Sequence, residues 1–166
     1  RLPPMTSTET RWMDAEQQDS WRAFIVGSTL LMDTLDRELR QEHGISLAEY
    51  EILVRLSESP DRTLRMAKIA ESMQHSRSRV THTVTRMEKD GLIRREAATD
   101  DKRGVDAMMT DKGWELLKAA AHTHVSGVRA HFVDLASSTD FAALGRVMNA
   151  VSDQLVAENP SFEDIR

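Results

Sequence analysis

A stripe of regularly spaced residues near the N-terminus predicts a long α-helix. Steps of four and three residues separate its members, which are Trp21, Ile25, Ser28, Met32, Leu35 and Leu39. Such spacing places side chains on one side of a helix, where they can pack. We expect this helix to end at His43 and Gly44, because glycine tolerates the left-handed conformation that commonly follows a helix.

Shorter elements are expected in the middle of the chain. Ser46 is placed to cap a second helix while Glu49 reaches back, which is the capping-box pattern. This helix directs three apolar residues inward: Ile52, Leu53 and Leu56. Pro60 interrupts it. Residues 63–64 then predict a short strand, and residues 65–73 a compact helix whose apolar side contains Met66, Ile69, Ala70 and Met73.

The next predicted helix has an unusual polar side. Ser76 is a candidate cap, and Val80, Val84 and Met87 follow at i, i+4 and i+7, the spacing of a buried side. The opposite side carries hydroxyl, imidazole and guanidinium groups, from Ser78, Arg79, Thr81, His82, Thr85 and Arg86. Such groups hydrogen-bond to base edges and phosphates, so the pattern predicts a helix that enters a DNA groove.

A hairpin with a basic tip follows this helix. Gly91 is expected to end the helix. The segments "LIRREA" and "VDAMMT" predict two strands, and the polar turn between them contains Lys102 and Arg103. A short helix, a turn, a polar-sided helix and a basic hairpin together predict a winged helix-turn-helix.

Long helices return in the last third of the chain. Thr110 is a candidate cap for a helix of about 25 residues, roughly 37 Å long. Its apolar stripe comprises Trp114, Leu117, Ala121, Val125, Val128, Phe132 and Leu135. A final helix repeats the pattern with Phe141, Leu144, Met148, Val151 and Leu155. One winged module does not need this much apolar surface, so we expect pairing with a second copy. The alternative is a monomeric helical lid.

These elements predict a mainly α (α+β) fold, a winged helix-turn-helix with long N- and C-terminal dimerisation helices. We interpret residues 5–166 as one domain, with a DNA-binding lobe over about 46–110 and dimerisation helices over about 10–43 and 111–158. Met5 is a candidate initiator, which would make residues 1–4 a remnant of an expression tag.

The charge distribution agrees with a DNA-binding lobe. The 166-residue chain has a net charge of -5, yet residues 62–104 contain eleven Lys and Arg against six Asp and Glu. This segment therefore carries +5 and the remainder -10, which suits a protein that contacts a polyanion with one face. A merely solvated basic face is the alternative interpretation.

Composition excludes several other classes of site and location. The chain contains no cysteine, which excludes disulfides, thiolate zinc sites and thiol redox sensing. It shows neither the apolar core of a signal peptide nor a membrane-spanning segment. We therefore expect a cytoplasmic protein with no membrane partner.

Two segments, "SRVTHTVTRMEKDGLIRR" and "TDDKRGVDAMMTDKGWELL", carry a resemblance to the MarR (multiple antibiotic resistance regulator) family of transcription factors. The resemblance extends from about Trp21 to Leu155. It implies a homodimer, a repressor by family default, that binds a pseudo-palindromic operator in double-stranded DNA. The helix around residues 76–89 would lie in the major groove, and Arg103 in or beside the minor groove.

The resemblance and the polar helix side together give a set of DNA contacts. The expected contacts are Ser76, Arg77, Ser78, Arg79, Thr81, His82, Thr85, Arg86, Lys102 and Arg103. Asp101 would orient Arg103 without contacting DNA. His82 departs from the family pattern, in which arginine is frequent at this position, so the operator sequence does not carry over.

The resemblance also implies a small aromatic or phenolic effector held between the two lobes. Trp21, Arg22, Phe24 and Tyr50 are the candidate contacts. We favour core positions for Trp21 and Phe24 and a surface position for Arg22. No cofactor is expected.

A zinc-responsive regulator is an alternative, because some relatives bind zinc through histidines. The candidates are His43, His122, His124 and His131. Their spacing argues against a shared ion, since His122 and His124 point to different sides of a helix while His124 and His131 lie two turns apart. We therefore assign no metal site.

Two further classes of function fit the sequence less well. The chain contains no HExxH, no phosphate-binding glycine loop and no Gly-x-Ser-x-Gly elbow, so we do not expect an enzyme. A non-specific architectural DNA-binding protein is the other alternative. The modest charge of the lobe and the hydroxyl-rich helix side argue against it.

Overall fold

A computed structural model of the chain describes residues 10–73, 75–98 and 103–161. Within this part the chain forms six α-helices, namely α1 (Ala15–His43), α2 (Leu47–Ser57), α3 (Met66–Ser72), α4 (Arg77–Lys89), α5 (Asp111–His131) and α6 (Ser138–Glu158). Three strands accompany them: β1 (Thr63–Arg65), β2 (Ile93–Ala97) and β3 (Val105–Met109). The predicted mainly α winged fold is confirmed.

Local capping fixes the ends of several helices. Ser46 Oγ accepts a hydrogen bond from the Glu49 amide, and the Glu49 carboxylate accepts one from the Ser46 amide, which is the predicted capping box. Gly44, after α1, has φ 71°, as a left-handed helix end requires. Gly91, after α4, has φ 73°. Thr110 caps α5 as predicted.

The sheet holds the hairpin against the helices of the DNA-binding lobe. Its strands are antiparallel in the order β1-β3-β2, with Thr63 opposite Met108 and Ile93 opposite Met109. Side chains from α2, α3, α4 and the sheet form one apolar core, which includes Ile52, Leu53, Leu56, Ile69, Val80, Val84, Met87, Ile93 and Ala107. Burying these side chains gives α4 a fixed outer face.

The long N- and C-terminal helices differ from the prediction at several points. The first helix begins at Ala15 rather than near residue 10, because Asp14 caps it with a capping box to Gln17. The prediction of one helix continuing to Leu135 is wrong, since Phe132 leaves helical geometry at φ -142° and ψ -66°. Leu135 then follows in a short 3₁₀ turn and is exposed.

The C-terminal half of α1 packs closely on α5. Leu35 and Leu39 are buried there, and a Cβ added to Gly127 would lie 3.0 Å from Leu35 Cδ2. Glycine at this position therefore allows the two helices to approach. In contrast, Trp21 and Phe24 are 52% and 41% exposed, so the favoured core positions for these two residues are wrong within the chain.

The last helix, α6, buries none of its residues within the described chain. Phe141, Met148, Val151 and Leu155 of its predicted stripe are exposed, and only Phe141 meets another ring, in an edge contact with Phe132 at 5.4 Å. No described helix combines the length and apolarity needed to cross a membrane.

Candidate nucleic-acid interface

The outer face of α4 carries most of the predicted DNA contacts. Ser76 caps the helix by accepting a hydrogen bond from the Arg79 amide at 3.2 Å. Because Val80, Val84 and Met87 are buried, the opposite face points outward. The exposed residues are Ser76, Arg77, Ser78, Arg79, Thr81, His82, Thr85 and Arg86, so all the predicted helix contacts lie outside the core.

The threonine hydroxyls on this helix have a defined direction. Thr85 Oγ1 donates to the Thr81 carbonyl at 2.7 Å, and Thr83 Oγ1 donates to the Arg79 carbonyl at 3.0 Å. Their protons are thereby used within the helix, while each oxygen keeps acceptor capacity. Thr85 can therefore accept a hydrogen bond from a base amino group without rearrangement.

The arginines of the lobe fall into two groups. Among the described residues, Arg77 and Arg79 form no ion pair, so their guanidinium groups are available to a ligand. Arg86, in contrast, donates through Nε to Glu49 Oε1 at 2.8 Å. Arg86 thus ties α4 to the start of α2, and any DNA contact that it makes must share its guanidinium with this carboxylate.

Glu49 is a buried carboxylate with several donors. Its side chain is 3% exposed, and Oε2 accepts hydrogen bonds from the Ser46 amide at 2.7 Å and from Ser46 Oγ at 2.8 Å. Burial alone would raise the pKa of Glu49, but the hydrogen bonds from Arg86 and Ser46 outweigh it and lower the pKa below its usual value. The charged form is therefore favoured in the folded protein.

A second ion pair holds the hairpin to α4. Arg95 on β2 donates to Glu88 Oε2 through Nη2 at 2.6 Å and through Nε at 3.0 Å. The Arg95 amide also donates to Glu88 Oε1, at 2.9 Å. These hydrogen bonds lower the pKa of Glu88. Neither this pair nor that of Arg86 was predicted, because sequence alone does not show which carboxylate an arginine meets.

The tip of the hairpin is described only from Arg103 onward. Arg103 is exposed and borders an open cleft of about 480 Å³ between α4 and the hairpin. Arg65, Arg77 and Thr81 line the same cleft. Lys102 and Asp101 lie outside the described residues, so their predicted roles stay predictions. Arg65 was not predicted as part of the interface.

The effector candidates lie in two separate places. The Trp21 and Phe24 rings stack at 5.9 Å, and Arg22 lines a mainly apolar hollow of about 360 Å³ with Trp21 and Trp12. Tyr50 instead lies on α2, buried, with its ring 4.6 Å from that of His124 on α5.

The ring pair formed by Tyr50 and His124 joins the two lobes. Burial raises the pKa of Tyr50 and lowers that of His124. His124 Nδ1 is buried without a hydrogen-bond partner among the described residues.

The histidines considered for zinc have other contacts. His43 Nε2 lies 2.8 Å from Thr123 Oγ1, and His131 Nε2 lies 2.6 Å from Glu38 Oε1. His122 lines an open groove between α1 and α5. Within residues 10–73, 75–98 and 103–161, no three His, Cys, Asp or Glu side chains are grouped so as to hold a metal ion.

Comparison with known proteins agrees with this geometry. The sequence profile of the MarR family matches residues 45–105. PecS, an HTH-type transcriptional regulator of Dickeya dadantii (strain 3937), is 26% identical over 102 residues, which span 61% of each protein.

Two crystal structures of MarR family transcriptional regulators from Streptomyces coelicolor are more similar. Sco3205, solved in complex with DNA, is 42% identical with a TM-score of 0.84, covering 89% of this chain and 92% of its own. AbsC is 37% identical with a TM-score of 0.82, covering 89% and 99% respectively. The chain therefore belongs to the MarR family of DNA-binding transcriptional regulators, which are transcription factors and not enzymes.

Proposed function

We propose that the protein is a homodimeric cytoplasmic repressor that binds a pseudo-palindromic operator and is released by a small aromatic acid. The observation that carries the DNA-binding mode is the exposed face of α4, where Arg77 and Arg79 have no carboxylate partner among the described residues. Arg can form paired hydrogen bonds to guanine, and hydroxyls can bond bases or phosphates. We therefore place α4 in the major groove and Arg103 at the minor groove.

The similarity to Sco3205 supports this placement. That protein was crystallised with DNA, and it is 42% identical to this chain over most of both lengths. A two-fold symmetric dimer would present two copies of α4, which accounts for a pseudo-palindromic site. The exposed apolar residues of α6 supply a surface for that dimer.

Competition between DNA duplexes tests the regulator proposal. Labelled DNA from the region upstream of the protein's own gene should be displaced by the same unlabelled sequence at about 10³-fold lower concentration than by random duplex, at physiological salt. Equal competition by both duplexes would instead identify a non-specific architectural protein. The Arg77→Ala variant should bind operator DNA more weakly. Arg129→Ala removes the same charge away from the interface and serves as the control, because Arg129 on α5 pairs with Asp134 in the turn that follows this helix.

The effector proposal rests on the buried pair of Tyr50 and His124. This pair joins α2 of the DNA-binding lobe to α5 of the dimerisation lobe, and His124 Nδ1 has no partner among the described residues. A phenolic acid that bonds there would change how the two lobes meet. Salicylate should therefore weaken operator binding by the wild-type protein and have a smaller effect on Tyr50→Leu. An equal effect on both would contradict this location.

A further inference from the structure

An arginine outside the predicted interface lies across the tip end of strand β3. Arg65 is the last residue of β1, and its partner in the sheet register is Asp106 on β3. Arg65 Nε donates to Asp106 Oδ1 at 2.7 Å, and the two side chains are only 27% and 25% exposed. A paired, largely buried guanidinium has a fixed position, unlike an arginine free in solvent.

The residue beside the hairpin tip leaves space for this guanidinium. A Cβ added to Gly104 would lie 2.8 Å from Arg65 Cζ and closer still to Nη1. Any larger residue at position 104 would therefore displace the end of the Arg65 side chain. The two nearest atoms are at the end of the Arg65 side chain, and Ala98 Cβ, at 3.2 Å, would need to move by only a few tenths of an ångström, so we expect the fold to tolerate an alanine.

The crossing brings three arginines to one cleft. Arg65, Arg77 and Arg103 border the space between α4 and the hairpin, and Arg103 immediately precedes Gly104. Asp106 offsets the charge of Arg65, so Arg65 can lie near two other cations at reduced electrostatic cost. Its main effect is then mechanical, because it joins β1 to β3 near the tip of the hairpin.

We propose that Arg65 is a positioning residue for the hairpin: by crossing Gly104 and pairing with Asp106, it holds Arg103 where it contacts a DNA phosphate beside α4. The inference rests on the proposed docking of α4 and the hairpin on DNA. It assigns a role to Arg65 and a reason for glycine at position 104.

A double-mutant cycle tests the link between the two residues. The probe is a random duplex of about 30 base pairs, because phosphate contacts do not depend on sequence. Affinity is measured by fluorescence anisotropy between about 50 and 200 mM salt, the range over which phosphate contacts are resolved. Arg65→Ala and Gly104→Ala should each lower the slope of log affinity against log salt by up to about 0.9 per bound protomer.

The combined variant decides whether the two effects share one cause. Arg65→Ala with Gly104→Ala should match Arg65→Ala alone, since alanine at 104 then has no guanidinium to displace. Arg94 provides a matched control, because it is an exposed arginine on the neighbouring strand β2 that pairs with Glu96. In an Arg94→Ala background, Gly104→Ala should keep its full effect. Additive losses for Arg65 and Gly104 would overturn the proposal.

A second cycle separates positioning from direct contact. In an Arg103→Ala background, neither Arg65→Ala nor Gly104→Ala should change the slope further. A further loss with Arg65→Ala would identify Arg65 as a phosphate ligand in its own right, which contradicts a positioning role. A change in thermal midpoint with an unchanged slope would show a purely structural role and also overturn the proposal. If Arg65→Ala does not fold, the salt slopes of Gly104→Ala, Arg103→Ala and their combination still provide a double-mutant cycle.

Failure of the proposed function is distinguishable from failure of this inference. A protein that shows no preference for its own upstream DNA is not an operator-specific repressor, yet the cycles on random duplex remain measurable. Conversely, strong preference for the operator together with additive slope losses for Arg65→Ala and Gly104→Ala would support the proposed function. It would exclude the positioning role of Arg65.

Discussion

The carboxylate of Glu49 stabilises the lobe through contacts that only its charged form makes fully. Replacing it with Gln weakens the hydrogen bonds from Arg86 and Ser46. Because Arg86 is about half exposed, solvent screens the pair, and we expect Glu49→Gln to cost only about 1–2 kcal/mol at pH 7. Urea unfolding measures this loss. Glu115→Gln removes a carboxylate from an exposed pair with Lys118 and should change stability much less.

The same carboxylate predicts a dependence on pH. Its pKa is lowered in the folded protein, so the unfolded chain takes up the proton first as pH falls. The contribution is complete above the unfolded pKa of about 4.3 and is lost as pH falls through the folded value. The stability difference between wild type and Glu49→Gln should therefore shrink below about pH 4.3. A difference that stays constant down to pH 3 would contradict this account.

His82 is expected to determine base preference. It lies exposed on α4, within the face that we place in the major groove. If it contacts a base edge, His82→Ala should alter preference at one symmetric pair of positions by about 1–3 kcal/mol per base pair. Binding to a panel of operators with single substitutions measures this change. An equal loss on every duplex would show that His82 contacts a phosphate.

Contacts between residues close in sequence were predictable, whereas contacts between residues far apart in sequence were not. Ser46 and Glu49 are three residues apart, so their capping box follows from local geometry. The pairing of Arg86 with Glu49 spans 37 residues and depends on how α2 packs on α4. Arg65 was missed for the same reason, since its partner Asp106 becomes its neighbour only when the sheet forms.

At the scale of the element, the hairpin places the exposed Arg103 at the edge of the interface. Arg103 lies at the start of the described part of the hairpin arm and borders the cleft beside α4. Replacing it with Ala should remove one phosphate contact per protomer, so the salt slope of operator binding should fall by up to about 1.8 for a dimer. Titrations at several salt concentrations measure the slope. If the plots of log affinity against log salt coincide for the wild type and Arg103→Ala, Arg103 does not contact DNA.

Folding should be unaffected by this change, because the exposed Arg103 side chain supports no part of the apolar core. The thermal midpoint and the sedimentation coefficient of Arg103→Ala should therefore match those of the wild type. A lower midpoint would indicate that the residue instead stabilises the hairpin.

Helix α4 and the hairpin were predictable as elements because their signals are local. The spacing of Val80, Val84 and Met87 identified the buried side of α4 correctly. The end of α5 was not predictable in this way, because the apolar spacing continues past Phe132 while its backbone leaves the helix. Apolar periodicity reports which residues pack, and it does not by itself report where a helix stops.

At the scale of the whole molecule, part of the apolar stripe that the sequence predicted on α1 remains exposed in the single chain. Trp21 was expected in the core, yet it is half exposed in the single chain, as are Ile25 and Met32 of the same stripe. The spacing correctly predicted that one side of α1 packs, because Leu35 and Leu39, further along the stripe, are buried. We expect a second copy of the chain to cover the exposed part, because no surface among the described residues covers it.

That surface predicts self-association. Large apolar residues are exposed along α6, including Val147, Met148, Val151 and Leu155, and contiguous exposed apolar surface of this kind is typical of protein interfaces. Burying such side chains yields about 25 cal/mol per Å², so pairing these helices with those of a second copy is favourable. We expect sedimentation velocity at micromolar concentration to give a dimer, and a monomer would contradict this expectation.

A charge placed on the stripe should separate the dimer without unfolding the lobe. Val151→Glu puts a carboxylate among apolar residues of α6, where burial in an interface would cost several kcal/mol. Asn149→Glu adds the same charge on another side of the helix and serves as the matched control. Val151→Glu should sediment as a monomer and lose operator affinity, because two half-sites can no longer be bound together. Asn149→Glu should remain a dimer, and dissociation of both variants alike would show that overall charge, not the stripe, governs assembly.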